Sequence, residues 1–153
     1  MGATESSAGR RSFRRSFRPE LGAAAEARRE LEDLFPAVDD DLLDRSRLVL
    51  TEVITNSVKH ARLTPSQPID VQAALLTAVL RIEVTDDGIG FLPPATSPER
   101  GSAAGGWGLW LIDQLADRWG VDCSHSTRVW VEFDRGRSTA PRVTAPAAGP
   151  RRR

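Results

Sequence analysis

A carboxylate, a carboxamide and an amine recur at helical spacing in the stretch Glu52-Val-Ile-Thr-Asn56-Ser-Val-Lys59-His60. At about 100° per residue, Asn56 falls roughly 40° and Lys59 roughly −20° from Glu52, while Leu50, Ile54, Val58 and Ala61 gather on the opposite side. A helix laid by that apolar side on a sheet presents its polar row to whatever covers it. Solvent covers most such rows, so the row alone implies little. Two glycine-rich turns downstream, Asp86-Asp87-Gly88-Ile89-Gly90 and Gly105-Gly106-Trp107-Gly108-Leu109, add what a nucleotide needs. Asp86 would accept a hydrogen bond from an exocyclic amine, which adenine has and guanine lacks at the matching position. Gly88 and Gly90 allow backbone to come close to a ligand. Gly106 and Gly108, at the start of a helix, would offer free N–H groups to phosphates. Asn56 supplies a neutral oxygen for a hard cation such as Mg²⁺, and Lys59 positive charge near phosphate. Glu52 would orient or deprotonate an attacking nucleophile.

The elements that must position these groups follow from periodicity. Phe13 and Phe17 share one side of an extended segment from Arg11 to Arg18, which predicts a half-buried edge strand. Pro19 opens a helix expected over about Glu20 to Phe35, with Leu21, Ala24, Leu31 and Leu34 as its apolar contacts and Pro36 as its end. Asp39, Asp40 and Asp41 cap the next helix, which carries Glu52 and Asn56 to about Arg62. Ile69 to Leu76 and Val79 to Thr85 read as a hairpin turning at Thr77. In its second strand Leu80, Ile82 and Val84 alternate with Arg81, Glu83 and Thr85, so the even positions face the core. Asp86 continues the even phase, and a carboxylate aimed inward is costly unless something hydrogen-bonds to it. Residues 91–106 are rich in Pro, Ser, Ala and Gly and should form a long mobile loop. A helix from Leu109 to Arg118 and strands near Val121–Ser124 and Arg128–Phe133 complete the pattern, with Val129, Val131 and Phe133 facing inward.

At 153 residues the chain is one domain's worth. Five arginines against Glu5 in residues 1–19, and six without an acid in residues 135–153, leave ten balancing negative charges in residues 20–134. The expected organisation is a disordered residue 1–10 segment, a folded domain over 11–134 and a disordered Arg/Pro/Ala-rich tail over 135–153. An acidic folded part argues against direct nucleic-acid binding, which needs basic charge on structured surface. The lone Cys123 excludes an intrachain disulfide and fits a reducing compartment. No apolar run approaches the ~18 residues a membrane span requires, and residues 1–19 lack a signal-peptide core, so a cytoplasmic location is expected.

The three motif segments resemble the N box and the two glycine boxes of the GHKL (Bergerat-fold) ATPase and kinase superfamily, which includes gyrase, histidine kinases and MutL. The resemblance covers about residues 11–134 and implies a two-layer α/β sandwich with a mixed sheet, ATP lying between the helices and a lid. Carried over by motif position, Asn56 would be the Mg²⁺ ligand, Asp86 the adenine anchor, and Gly88, Gly90, Gly106 and Gly108 the backbone of pocket and lid. No His precedes His60 to serve as a phosphoacceptor, and no second transducer domain of the gyrase or MutL kind is expected. The pattern looks most like the anti-sigma-factor serine kinases, which bind a sigma factor and phosphorylate a serine on a STAS-domain anti-anti-sigma partner, and which are often homodimers. In that branch the glutamate at the Glu52 position is the catalytic base, and a lid arginine, here Arg100, reaches the γ-phosphate.

Two other readings stay open on the residues alone. One is a non-catalytic module that uses ATP to set its affinity for a protein partner; the other is an interaction domain with fortuitous glycine turns. Among the remaining residues, His60 is expected to pack beside the site and His125 to be solvated in a turn. Trp107, Trp110, Trp119 and Trp130 are expected mainly to pack, Trp107 being placed to close over nucleotide and Trp130 to face a partner.

Overall fold

The computed structural model describes residues 11–34, 39–88 and 106–136. The expected N-terminal disordered segment, the expected C-terminal one beyond residue 136, residues 91–105, Gly90 and Arg100 lie outside the described residues, whereas Arg135 and Gly136, expected in the tail, form a turn in which the Arg135 N–H donates to the Ala78 carbonyl. The elements in chain order are β1 (Arg11–Phe17), α1 (Ala23–Leu34), α2 (Asp40–His60), β2 (Ile69–Leu75), β3 (Val79–Asp86), α3 (Gly106–Leu115), β4 (Arg118–Asp122) and β5 (Thr127–Asp134).

The strands form one five-stranded sheet in the order β1-β2-β3-β5-β4. The α/β arrangement is the one the resemblance implies, but the sheet is not mixed: all four described pairings are antiparallel. The reason is where β5 goes. β3 and β4 run parallel to each other, joined through α3, yet β5 inserts between them and pairs antiparallel with both. No two hydrogen-bonded neighbours are therefore parallel.

One face of the sheet and the inner faces of the helices make a single core. It includes Phe17, Leu31, Leu50, Ile54, Ile69, Ile82, Ile112 and Phe133. Full burial of an aliphatic or aromatic side chain contributes about 1.5–3 kcal/mol. The even phase of β3 is borne out, with Leu80, Ile82, Val84 and Asp86 all buried. The opposite face of the sheet carries ions. Arg81 bonds Glu83 and Glu132 at 2.7 and 2.6 Å, and Arg118 bonds Glu132 and Asp134 at 2.8 and 2.6 Å. Trp130 faces outward there, its ring 5.0 Å from the Arg81 guanidinium and against Gly120.

Three elements differ from expectation at their boundaries. Helix α1 begins at Ala23, after a turn in which the Glu20 N–H donates to the Arg18 carbonyl and the Ala23 N–H to the Glu20 carbonyl. Leu21 therefore lies before the helix and is 89% exposed, while Ala23, Ala24 and Ala27 pack inward with Leu31. Helix α3 starts and ends about three residues early, because the Asp117 N–H leaves the helix ladder for the Glu132 carbonyl and starts the chain along β5. Arg118 is thus the first residue of β4, and an Asx turn from Asp122 to the Ser124 N–H ends that strand.

Arg45 joins the layers. It is 6% exposed, donates to Asp41 at 3.0 Å and to the Leu115 carbonyl at 3.1 Å, and lies 3.6 Å from Asp117 and 5.7 Å from the Phe133 ring centroid. Helix α2 is thereby fastened to the end of α3. No helix among the described residues is long and apolar enough to cross a membrane.

Candidate functional site

Helix α2 positions the polar row. Its start is fixed by Asp39, whose carboxylate accepts from the Asp41 N–H at 2.9 Å, with Asp40 and Asp41 in the positive first turn. Its buried stripe, Leu42, Arg45, Ser46, Val49, Leu50, Val53, Ile54 and Ser57, lies on the core. Glu52 and Asn56 fall on the flank of that stripe, half-buried.

The start of α3 closes directly onto them. A Cβ added at Gly108 would lie 2.3 Å from Glu52 Oε1 and 3.0 Å from Asn56 Nδ2, so this backbone lies directly against the ends of the two side chains, which a larger residue would displace. Gly106 is the first residue of the same helix. The expected meeting of the polar row with the second glycine turn is thus present.

The first glycine turn is anchored to the other side of α2. Asp86 ends β3, 3% exposed, with its carboxylate turned inward. Both oxygens have donors: the Ser57 hydroxyl gives to Oδ2 at 2.6 Å, and the Gly88 N–H gives to Oδ1 at 3.0 Å. Those bonds offset the cost of a buried carboxylate. A Cβ at Gly88 would stand 2.4 Å from the Ala61 carbonyl oxygen, so this turn sits hard against the C-terminus of α2. Asp87, in the odd phase, is exposed, and its carbonyl accepts from Gln67 at 3.2 Å.

Two residues at the site carry no sequence motif. Ser57, next to Asn56, is one of three buried polar residues on the mostly aliphatic inner face of α2, with Arg45 and Ser46, and its alternative reading as a small core residue is the ordinary one. Thr127 is the cross-strand partner of Asp86 in the β3–β5 register. Directly paired residues project to the same face, with Cβ atoms about 4.5–5.5 Å apart. Thr127 is 4% exposed and its hydroxyl is the only buried side-chain polar atom without a partner among the described residues. Orphaned buried hydroxyls are rare and costly. Here the orphan stands beside the one inward-facing carboxylate of the sheet.

Lys59 and His60, in the last turn of α2, are both exposed. His60 therefore does not pack beside the site as expected, and Lys59 has no described partner. His125 is exposed in the β4–β5 turn, as expected.

The donor chemistry fits a nucleotide. An inward-turned carboxylate and an unpaired hydroxyl are cross-strand partners, and Ser57, which holds that carboxylate, is next in sequence to Asn56, which with Glu52 lies against Gly108. The described residues contain no cluster of three or more His, Cys, Asp or Glu that could cage a metal alone. A magnesium ion held by one or two protein oxygens and completed by phosphates and water needs no such cluster. A separate polar concavity of about 460 Å³, lined by Arg14, Asp70, Thr85, His125 and Arg128 among others, contains none of these residues. Thr85 projects away from Asp86, so this concavity lies on the reverse face of the sheet.

Comparison with known proteins agrees with this geometry. A family model described as histidine kinase-like ATPase domain matches residues 17–133. The crystal structure of the RsbU and RsbW domains of Rv1364c from Mycobacterium tuberculosis is similar, with a TM-score of 0.65 and 19% identity over 83% of this chain. The histidine kinase domain of the blue-light activated kinase EL346 from Erythrobacter litoralis is similar over 73% of this chain, with a TM-score of 0.50 and 19% identity. At that identity the two share the fold. This chain spans 33% of the first and 59% of the second. No curated protein matches.

Proposed function

The chain belongs to the histidine kinase-like ATPase domain family, and from that premise we propose that it is an ATP-dependent serine protein kinase of the anti-sigma-factor type, acting on a STAS-domain partner. The observation that carries the reading is the buried Asp86 carboxylate, held by the Gly88 N–H of its own turn and by Ser57 of the helix that also presents Glu52 and Asn56 to Gly108.

In this reading Asp86 accepts the adenine amine, and the Thr127 hydroxyl gains a partner when nucleotide arrives. The Asn56 carboxamide oxygen, with the phosphates, would hold Mg²⁺, which would supply positive charge against the phosphoryl oxygens. Gly88, Gly90, Gly106 and Gly108 line the nucleotide with backbone, and Lys59 and Arg100 add positive charge toward the phosphates. Glu52 receives the proton of the acceptor serine as its hydroxyl oxygen bonds to the γ-phosphorus. The bond from that phosphorus to the β–γ bridging oxygen breaks, and ADP leaves. The protein's contribution is alignment and charge stabilisation rather than a covalent intermediate. The similar Mycobacterium tuberculosis structure includes an RsbW domain on the same fold, and the motif resemblance to anti-sigma-factor kinases gives a sigma factor as the second protein ligand in this reading.

Incubation with radiolabelled ATP, Mg²⁺ and STAS-domain proteins tests the proposal. Label on a partner serine, lost in Glu52→Ala while ATP affinity persists, is the expected result. ATP binding without transfer to any such partner would leave a nucleotide-dependent binding switch instead.

A further inference from the structure

We propose that Ser57 sets the purine selectivity of this site, by holding Asp86 as a pure hydrogen-bond acceptor and keeping it apart from Thr127. The inference rests on the nucleotide-site reading above and names the residue that enforces it.

An ionised carboxylate offers lone pairs and no proton. In Asp86 each oxygen already receives one donor, from Ser57 at 2.6 Å and from the Gly88 N–H at 3.0 Å, and the group is 3% exposed. Its orientation is therefore set by two elements at once, α2 and its own turn. The lone pairs that remain can be met only by another donor. A purine with an amine at C6 supplies one; a purine with a C6 oxo group sets lone pair against lone pair in a site from which water is largely excluded. Sites built to hydrogen-bond a particular group reject an analogue lacking it far more strongly than apolar pockets reject shape differences.

The cross-strand neighbour gives Ser57 a second effect. Thr127 lies directly opposite Asp86 with its hydroxyl unpaired. A carboxylate freed from Ser57 has that hydroxyl within the reach of side-chain rotation, and pairing would satisfy both groups internally. The Ser57 contact commits Asp86 to the α2 side and leaves the Thr127 hydroxyl open. Serine at position 57 thus keeps two recognition groups from neutralising each other. Its own burial, at 7% exposure, keeps water from readily substituting for the hydroxyl.

The test is calorimetric titration of the full chain with ATP and with inosine triphosphate, which replaces the C6 amine by an oxo group. The wild type is expected to prefer ATP strongly. Ser57→Ala should weaken ATP and narrow the ATP-to-inosine-triphosphate preference by about tenfold, the scale of one lost hydrogen bond to a charged group. Ser57→Cys, of similar size and with a weak donor, should fall between the two, and it carries the same measurement should the alanine variant fail to fold. Thr127→Val should weaken ATP binding in the wild type and add little in the Ser57→Ala background. An unchanged preference ratio in folded Ser57 variants, whether ATP binding falls or not, would overturn the proposal. Absence of ATP binding by the wild type would instead sink the nucleotide reading beneath it.

Discussion

Thr127 makes a prediction with opposite signs for binding and stability. Replacing an orphaned buried hydroxyl by a methyl of the same shape removes an unsatisfied group, so Thr127→Val should leave the urea midpoint unchanged or raise it. The same change should lower ATP affinity about tenfold by calorimetry. A residue with a purely structural role would not move the two in opposite directions. Gly108 separates binding from chemistry in the same way. An added methyl meets the far end of the Glu52 side chain, which can swing aside, so Gly108→Ala should fold normally. With the Glu52 carboxylate displaced, phosphotransfer to a partner serine should fall about a hundredfold, a loss typical of misplaced groups. Asp86 was legible in the sequence because β3 alternates cleanly and the acid keeps the inward phase. Ser57 and Thr127 were not, since each acquires its meaning from a contact across the fold: Ser57 with an acid 29 residues away, and Thr127 with a strand that precedes it by a helix and another strand.

The elements themselves were largely readable, and their ends were not. The stop of α3 at Leu115 depends on the Glu132 carbonyl capturing the Asp117 N–H, a partner that local periodicity does not contain. Leu21 fits a helical stripe on paper but sits in the turn before α1. The joint between α2 and α3 is of the same kind, because a charged Arg45 in the apolar stripe of α2 reads as a surface residue until Asp41, Asp117 and Leu115 surround it. Losing the arginine leaves the buried Asp117 carboxylate short of a cation, and breaking such pairs costs about 3–5 kcal/mol. Arg45→Met should therefore lower the unfolding free energy by about 3 kcal/mol in urea titration. Because this joint holds α3 over α2, ATP affinity should weaken in the same variant at temperatures where it is still folded.

At the scale of the molecule, the two-layer fold was recoverable from the motif order, whereas the pairing of its strands was not. Insertion of β5 between β3 and β4 is a long-range choice, and it turns an expected mixed sheet into an antiparallel one. It also builds the ionic face behind the site. There the Glu132 carboxyl is held below its ordinary value chiefly by the Arg118 hydrogen bond, burial opposing and Arg81 adding to the effect. A carboxyl whose value is lowered on folding stabilises the fold fully above its unfolded value. The contribution fades as pH falls through the lowered one. Acid unfolding should thus steepen below about pH 4.5, the ordinary value for this group. Glu132→Gln should flatten that part of the stability curve while changing ATP affinity little, since Glu132 lies on the opposite face of the sheet.

The most direct measurement is a calorimetric titration of ATP with Mg²⁺ into the wild-type chain and into Asp86→Asn, with GTP as the control nucleotide. Saturable binding of ATP but not GTP, abolished in Asp86→Asn with the fold intact by circular dichroism, is the expected result. Equal binding of the two nucleotides, or an Asp86→Asn variant that binds ATP as tightly as wild type, would contradict a site organised around that buried carboxylate.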